Sequence, residues 1–210
     1  MTEQDADDID GLERAIRARA AANHVVDELL CRAAAASGIR MAVLVEGRSD
    51  AAAVTALAGR LGRDLGAEGA IVIQMGGAMS VPRFVRVVGP DGLGWQVVGL
   101  CDAGERSHFE RLIAPERVFA CERDLEEELL RALGVERAEA VLEAQGDLAR
   151  FRTFQKQPAQ RGRAVERQLH RFLGSVGGRK ERYAAAMVGA MPLHAVPPPL
   201  ERLLDRRAWR

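Results

Sequence analysis

The sequence predicts an α/β fold: a small parallel sheet covered by helices, with an N-terminal helix before it and a helical, basic region after it. Three observations carry that prediction. The short apolar runs Met41–Val45, Ala70–Gln74 and Gln96–Cys101 are too brief for helices and too uniform for strands with one wet face, so they suit strands buried on both sides. An Ala- and Leu-rich helical stretch at 50–65 separates the first two runs, and such alternation implies right-handed crossovers between parallel strands. After Cys121 helical periodicity takes over and no further strand pattern emerges.

Taken in order, residues 11–37 place Leu12, Ile16, Ala20, Val25, Leu29 and Leu30 near helical spacing and end at Ser37 and Gly38, which predicts one long helix and a candidate dimer element. Asp50 is positioned to N-cap the helix that follows the first strand. Gly76 and Gly77 follow the second strand ahead of a predicted helix, so their amides could approach a phosphate, although a plain turn is the commoner use. A shorter strand is expected at 117–121 and helices at 124–133, 137–144, 148–155, 165–173 and 179–188. Pro197, Pro198 and Pro199 read as a stiff connector. The chain divides into an N-terminal arm at 1–39, the α/β core at 40–122 and the basic helical region at 123–210.

Hydrophobic residues at 48% and charged residues at 29% exclude a disordered chain, a collagen-like repeat and a membrane protein, and 4% aromatics demand an aliphatic core. The formal net charge of zero hides a gradient. Residues 1–149 carry 16 basic and 26 acidic side chains, whereas residues 150–210 carry 14 basic and 4 acidic ones, an asymmetry that fits a nucleic-acid partner. No run approaches the roughly 18 apolar residues of a membrane span, and the acidic N-terminus is unlike a signal peptide, so the expected location is the cytoplasm, away from any membrane. Cys31, Cys101 and Cys121 are too few and too scattered for a disulfide framework or a zinc site and read as small buried apolar residues.

Ligands of an open parallel sheet gather at the carboxyl ends of its strands. Two of those ends are acidic: the first strand runs into Glu46 with Asp50 four residues on, and the third runs into Asp102 with Glu105 nearby. Adjacent strands lie about 4.8 Å apart, so such carboxylates can converge on one cation or on two. Capping accounts for Asp50, but a Glu directly ending five apolar residues caps nothing and is costly to bury alone. Oxygen donors without a nearby His or Cys favour Mg²⁺ or Mn²⁺ over zinc.

The segment Val43 to Asp50, followed by Val98 to Glu105, resembles the metal-binding core of TOPRIM domains, shared by topoisomerases, primases and several nucleases. Within that group the chain looks most like the TOPRIM part of the OLD (overcoming lysogenization defect) nucleases, with Asp124, Leu125 and Glu126 and the stretch Gly178 to Tyr183 supporting the narrower match over about residues 40–199. The resemblance implies a Rossmann-like TOPRIM sheet and two Mg²⁺ or Mn²⁺ ions. It implies Glu46, Asp50 and Asp102 as metal ligands and catalytic residues, Glu46 also as a proton-transfer group, Glu126 as a further acid, and Lys180 as the cation that steadies the scissile phosphate. In one departure, Gly104 stands where the family has the second Asp of an Asp-x-Asp pair; Glu105 or Glu126 would supply the missing oxygen, or the site would hold one ion firmly and a second only with substrate.

Lys180 is one of two lysines against 28 arginines, so its retention is mildly informative. Arg48, Arg161, Arg163, Arg167, Arg171 and Arg179 suit a phosphate-tracking surface, although a run of charge is more often a solvated face. No P-loop motif is present, so the resemblance leaves the chain working alone or with an ATPase supplied by another chain. The single tyrosine, Tyr183, lies outside the acidic cluster, which disfavours topoisomerase chemistry. The expected activity is metal-dependent phosphodiester cleavage or nucleotidyl transfer on DNA. The alternatives are an RNA-processing TOPRIM nuclease and a non-catalytic module that binds nucleic acid or a partner ATPase.

Overall fold

The computed structural model describes residues 3–24 and 26–209. Among them four strands form one all-parallel sheet in the order β2-β1-β3-β4: β1 (Met41–Val45), β2 (Ala70–Gln74), β3 (Gln96–Cys101) and β4 (Val118–Ala120). The helices preceding and linking these strands are α1 (Glu3–Ala22), α2 (Glu28–Ser37), α3 (Arg48–Arg60), α4 (Val81–Val88) and α5 (Arg106–Glu110). Beyond the sheet come α6 (Leu125–Leu133), α7 (Val135–Ala144), α8 (Leu148–Gln155), α9 (Val165–Leu173), α10 (Arg179–Ala190) and α11 (Pro198–Leu203).

Every residue of β1 is buried, because the two faces serve two layers. Met41, Val43 and Val45 point into an apolar cluster with α3 and α6 to α11, whereas Ala42 and Leu44 point into a second cluster with α1, α2, α4 and α5. Two-sided burial is what makes the strand read as an unbroken apolar run. The C-terminal helices share the first cluster with the sheet, and Arg60 of α3 binds them by donating to the Val188 carbonyl at 2.6 Å and to that of Met191. No helix among the described residues is long and apolar enough to cross a membrane.

Several expectations need correction. The single helix at 11–37 is two helices: Asn23 takes a left-handed φ of 54°, which Asn tolerates, and Asp27 then N-caps α2 by accepting the Leu30 N–H at 2.9 Å. Val25 lies outside the described residues. The apolar positions Leu12, Ile16 and Ala20 pack into the layer under the sheet of their own chain. Asp50 is not the N-cap of α3; Gly47 is, and Asp50 sits three residues into the turn. The proline run is not a connector but the first turn of α11, where a missing N–H costs nothing. Cys101 and Cys121 are buried as expected, but Cys31 is exposed.

Gly99 lets α5 pack onto β3. A Cβ there would lie 2.4 Å from Cδ1 of Phe109, a fully buried ring. Gly99→Ala is expected to cost about 1–3 kcal/mol in urea unfolding through overpacking, and an unchanged midpoint would contradict this account of the contact.

Candidate metal centre

The chain leaves β1 for β2 on one side and returns to β3 on the other, so the crevice at the sheet's carboxyl edge opens between β1 and β3. Glu46 and Asp102 flank it. The Glu46 side chain crosses the gap, its Oε1 accepting the Asp102 backbone N–H at 2.9 Å. Behind it, the Gly76 and Gly77 amides both donate to the Glu46 carbonyl at 3.0 Å. These amides are therefore occupied and do not form the phosphate loop the sequence suggested; with φ of 74° and 116°, the glycine pair instead pins the Glu46 backbone. Asp50 joins from the first turn of α3, where its Oδ2 accepts the Gly47 N–H at 2.8 Å.

These carboxylates repel one another in a half-buried setting. Burial, reinforced by Glu126, Asp102 and Glu46, pushes Asp50 up to about 7 against the pull of the Gly47 N–H. Burial together with the charges of Glu46, Asp124 and Glu126 raises Asp102 to about 7 as well, with Lys180 opposing weakly. Glu46 is raised by burial and by Glu105, with the Asp102 N–H opposing. Glu105 lies on the rim, 3.5 Å from the His108 ring. A Cβ on Gly104 would meet nothing within 4 Å, so the backbone there is open to a side chain.

The far wall comes from α6. Asp124 N-caps that helix by accepting the Glu127 N–H at 2.8 Å, and its Oδ2 faces Nε2 of His170 on α9, also at 2.8 Å. Burial pushes Asp124 up, but His170 and the Glu127 N–H outweigh it and hold the acid low, while the same contact raises His170. Glu126, only 6% exposed, has Oε2 at 3.2 Å from Nζ of Lys180 and Oε1 buried with no hydrogen-bond partner. Asp124, Glu126 and His170 each bring one donor atom within 4.8 Å of the others. Sequence reading found no histidine near the acids. His170 is 46 residues from Asp124, and only the packing of α9 on α6 joins them.

Of the arginines expected to track phosphate, Arg161, Arg163, Arg167 and Arg171 are exposed. The last three line a cleft of about 560 Å³ that opens beside His170 and also takes in Arg123 and Arg131. Arg48 lies 3.6 Å from Glu181 on the surface. Arg179 does not belong with them: its side chain is 9% exposed, stacks on Phe172 at 4.0 Å and donates to the Phe172 carbonyl at 2.9 Å. It lies 3.7 Å from Asp147, a carboxylate that also gathers Arg150, Arg182 and the Tyr183 hydroxyl.

Residues 39–103 match the family described as overcoming lysogenization defect protein-like, TOPRIM domain. Among solved structures, the chain is similar to the C-terminal region of the Burkholderia pseudomallei OLD protein, at 21% identity and a TM-score of 0.61, over 80% of this chain and 96% of that one. It is similar also to the C-terminal region of the Xanthomonas campestris pv. campestris OLD protein, at 25% identity and a TM-score of 0.60, over 81% of this chain and 95% of that one. No curated protein matches it.

Proposed function

From the OLD-like TOPRIM domain that this chain carries, we infer a divalent-metal-dependent phosphodiesterase that cleaves DNA. The observation that carries the reading is the convergence of Glu46, Asp50 and Asp102 at the crevice between β1 and β3, with two of the acids raised to about 7. Divalent cations fit this centre. The carboxylates are drawn together without enough positive charge to balance them, and the buried Oε1 of Glu126 lacks a partner. Hard oxygen donors suit Mg²⁺ or Mn²⁺.

Glu46, Asp50, Asp102 and Glu126 would hold the ions, with Glu105 at the rim. Bound there, the ions would supply Lewis-acid polarisation of the phosphoryl group and lower the pKa of water. The side chains do the rest. Glu46 keeps Oε2 available for a proton while Oε1 is anchored on the Asp102 N–H. Lys180, at the start of α10 and 46% exposed, can turn from Glu126 toward a phosphoryl oxygen and offset charge that develops there. The exposed arginines beside His170 would position a phosphate backbone without reading sequence.

The experiment is incubation of supercoiled plasmid and structured RNA with the protein in Mg²⁺ or Mn²⁺. Metal-dependent nicking of the plasmid is expected. Cleavage of RNA alone would move the substrate, and binding without cleavage in any ion would sink the reading in favour of a non-catalytic module. Gly104 is the observation that favours this second reading. Because the position is open, Gly104→Asp is expected to fold normally and to bind Mg²⁺ roughly tenfold more tightly by calorimetry, as ligand charge is restored.

A further inference from the structure

We propose that the cleft between α1 and α4, lined by Arg14, Arg17 and Arg83, is a second anchor for the phosphate backbone of DNA, across the metal centre from the arginines beside His170. The inference rests on the phosphodiesterase reading and adds to it the course of the substrate over the sheet.

Three observations support it. The cleft, of about 370 Å³, gathers three guanidinium groups from two helices over Met75 and Phe84, and among the described residues no acid lines it. Among those residues neither Arg14 nor Arg83 is ion-paired, and Arg17 reaches Glu13 only at 3.8 Å. Glu13 lines a separate cleft with Asp10 and Thr55, and burial raises its carboxyl. Even fully ionised, that one acid leaves two of the three cations unbalanced, and a polyanion would offset them. Ser80 adds a hydroxyl: it stands at the N-cap position of α4 yet makes no capping hydrogen bond, which leaves it for a phosphoryl oxygen beside the positive end of the helix dipole.

Position gives the cleft its role. Met75 directly follows β2, and Gly76 and Gly77 hold the Glu46 carbonyl, so the cleft and the centre share one loop at the sheet's carboxyl edge. The cleft beside His170 is built on α6 and α9, and α6 follows β4. With the sheet ordered β2-β1-β3-β4 and the carboxylates at β1 and β3, the two clefts flank the centre. Three strand spacings of about 4.8 Å set β2 and β4 about 14 Å apart, which is about four base-pair steps of roughly 3.4 Å. A backbone that crosses the strands therefore meets arginines on both sides of the bond presented to the carboxylates. Arg14 and Arg17 lie ahead of residues 39–103, the stretch that matches the family, which makes the N-terminal arm part of the DNA surface. Arg86 fixes the geometry by tying α4 to the end of α1, donating to Oδ1 of Asn23 at 2.6 Å.

The test reads binding of a fluorescent duplex of about 20 base pairs by anisotropy across a salt series, with Ca²⁺ in place of Mg²⁺ and the duplex checked intact on a gel. The double variant Arg14→Gln, Arg83→Gln changes two exposed side chains; it is expected to keep the wild-type Tm, to bind about tenfold more weakly, and to lower the slope of log K against log[salt] by about 2. Arg83→Gln alone should give about half that change in slope. The control pair Arg32→Gln, Arg202→Gln, exposed on α2 and α11, should leave the slope as it is. An unchanged slope in the first pair, or an equal loss in both pairs, overturns the anchor, and a change seen with structured RNA but not with the duplex overturns its assignment to DNA. Plasmid nicking is scored separately: nicking by the wild type with an unchanged slope in the first pair overturns this anchor alone, and the expected slope change without nicking supports the anchor while overturning the phosphodiesterase reading.

Discussion

Asp147→Ala is expected to lower the unfolding free energy by about 3 kcal/mol, near the low end for a broken buried ion pair. Asp147 is 1% exposed at the start of α8. It accepts from Arg182, from Arg150 at 2.7 Å and from the Tyr183 hydroxyl at 3.0 Å, with Arg179 at 3.7 Å. Arg150 and Arg182 are largely exposed, which screens their share, so the loss falls mainly on Tyr183, whose buried hydroxyl is left without its acceptor, and on Arg179, which keeps the Phe172 carbonyl but loses its buried countercharge. Differential scanning calorimetry should find a Tm lower by roughly 6–12 °C. The pH dependence follows from the same contacts. The hydrogen bond from Arg150 leads the interactions that hold Asp147 below the ordinary carboxylate range, against burial. A lowered acid stabilises the fold above its unfolded pKa of about 4 and loses that contribution as pH falls through its native value. The gap between wild type and Asp147→Asn should accordingly be full at neutral pH and close in acid; a gap that persists in acid would assign the effect to packing.

Asp102→Asn and Glu46→Gln are expected to reduce plasmid nicking by about 10³-fold or more, since each removes a charge from the centre that would hold the ions. Loss of activity alone cannot separate a site residue from a structural one, but stability can. Burial and neighbouring acids raise Asp102 to about 7, so without metal the native state favours its protonated form. A raised acid contributes most below its unfolded pKa of about 4, and its contribution falls as pH rises through about 7. Asn is neutral at every pH. Metal-free Asp102→Asn should thus melt above the wild type at pH 8 while being inactive, and this margin should shrink when Mg²⁺ is added. A carboxylate serving only the fold would show the opposite sign. Asp147 provides that contrast in the same chain.

Much of this architecture is legible in the sequence. The strands at Met41–Val45, Ala70–Gln74 and Gln96–Cys101 have the predicted bounds because burial on two faces leaves an unmistakable run of apolar residues. The convergence of Glu46 and Asp102 was legible for the same reason, since each directly follows a strand and parallel neighbours end together. The break at Asn23 was harder to see. It depends on a single residue entering the left-handed region inside an otherwise continuous helical pattern, and the Asp27 cap is its local trace.

By itself, then, the sequence determined the parallel sheet, its covered faces and the acidic strand ends, because periodicity and chain order are local properties. Only the tertiary structure decided which charges meet. Arg179 and Arg167 are the same residue type in the same basic region, yet packing places one against Phe172 near Asp147 and the other in an open cleft. His170 reaches Asp124 across 46 residues because α9 packs on α6, and Gly76 and Gly77 turn their amides on Glu46 because β2 lies beside β1. Charge pairing is a property of distance in space, and distances between remote residues are set by how helices and strands pack.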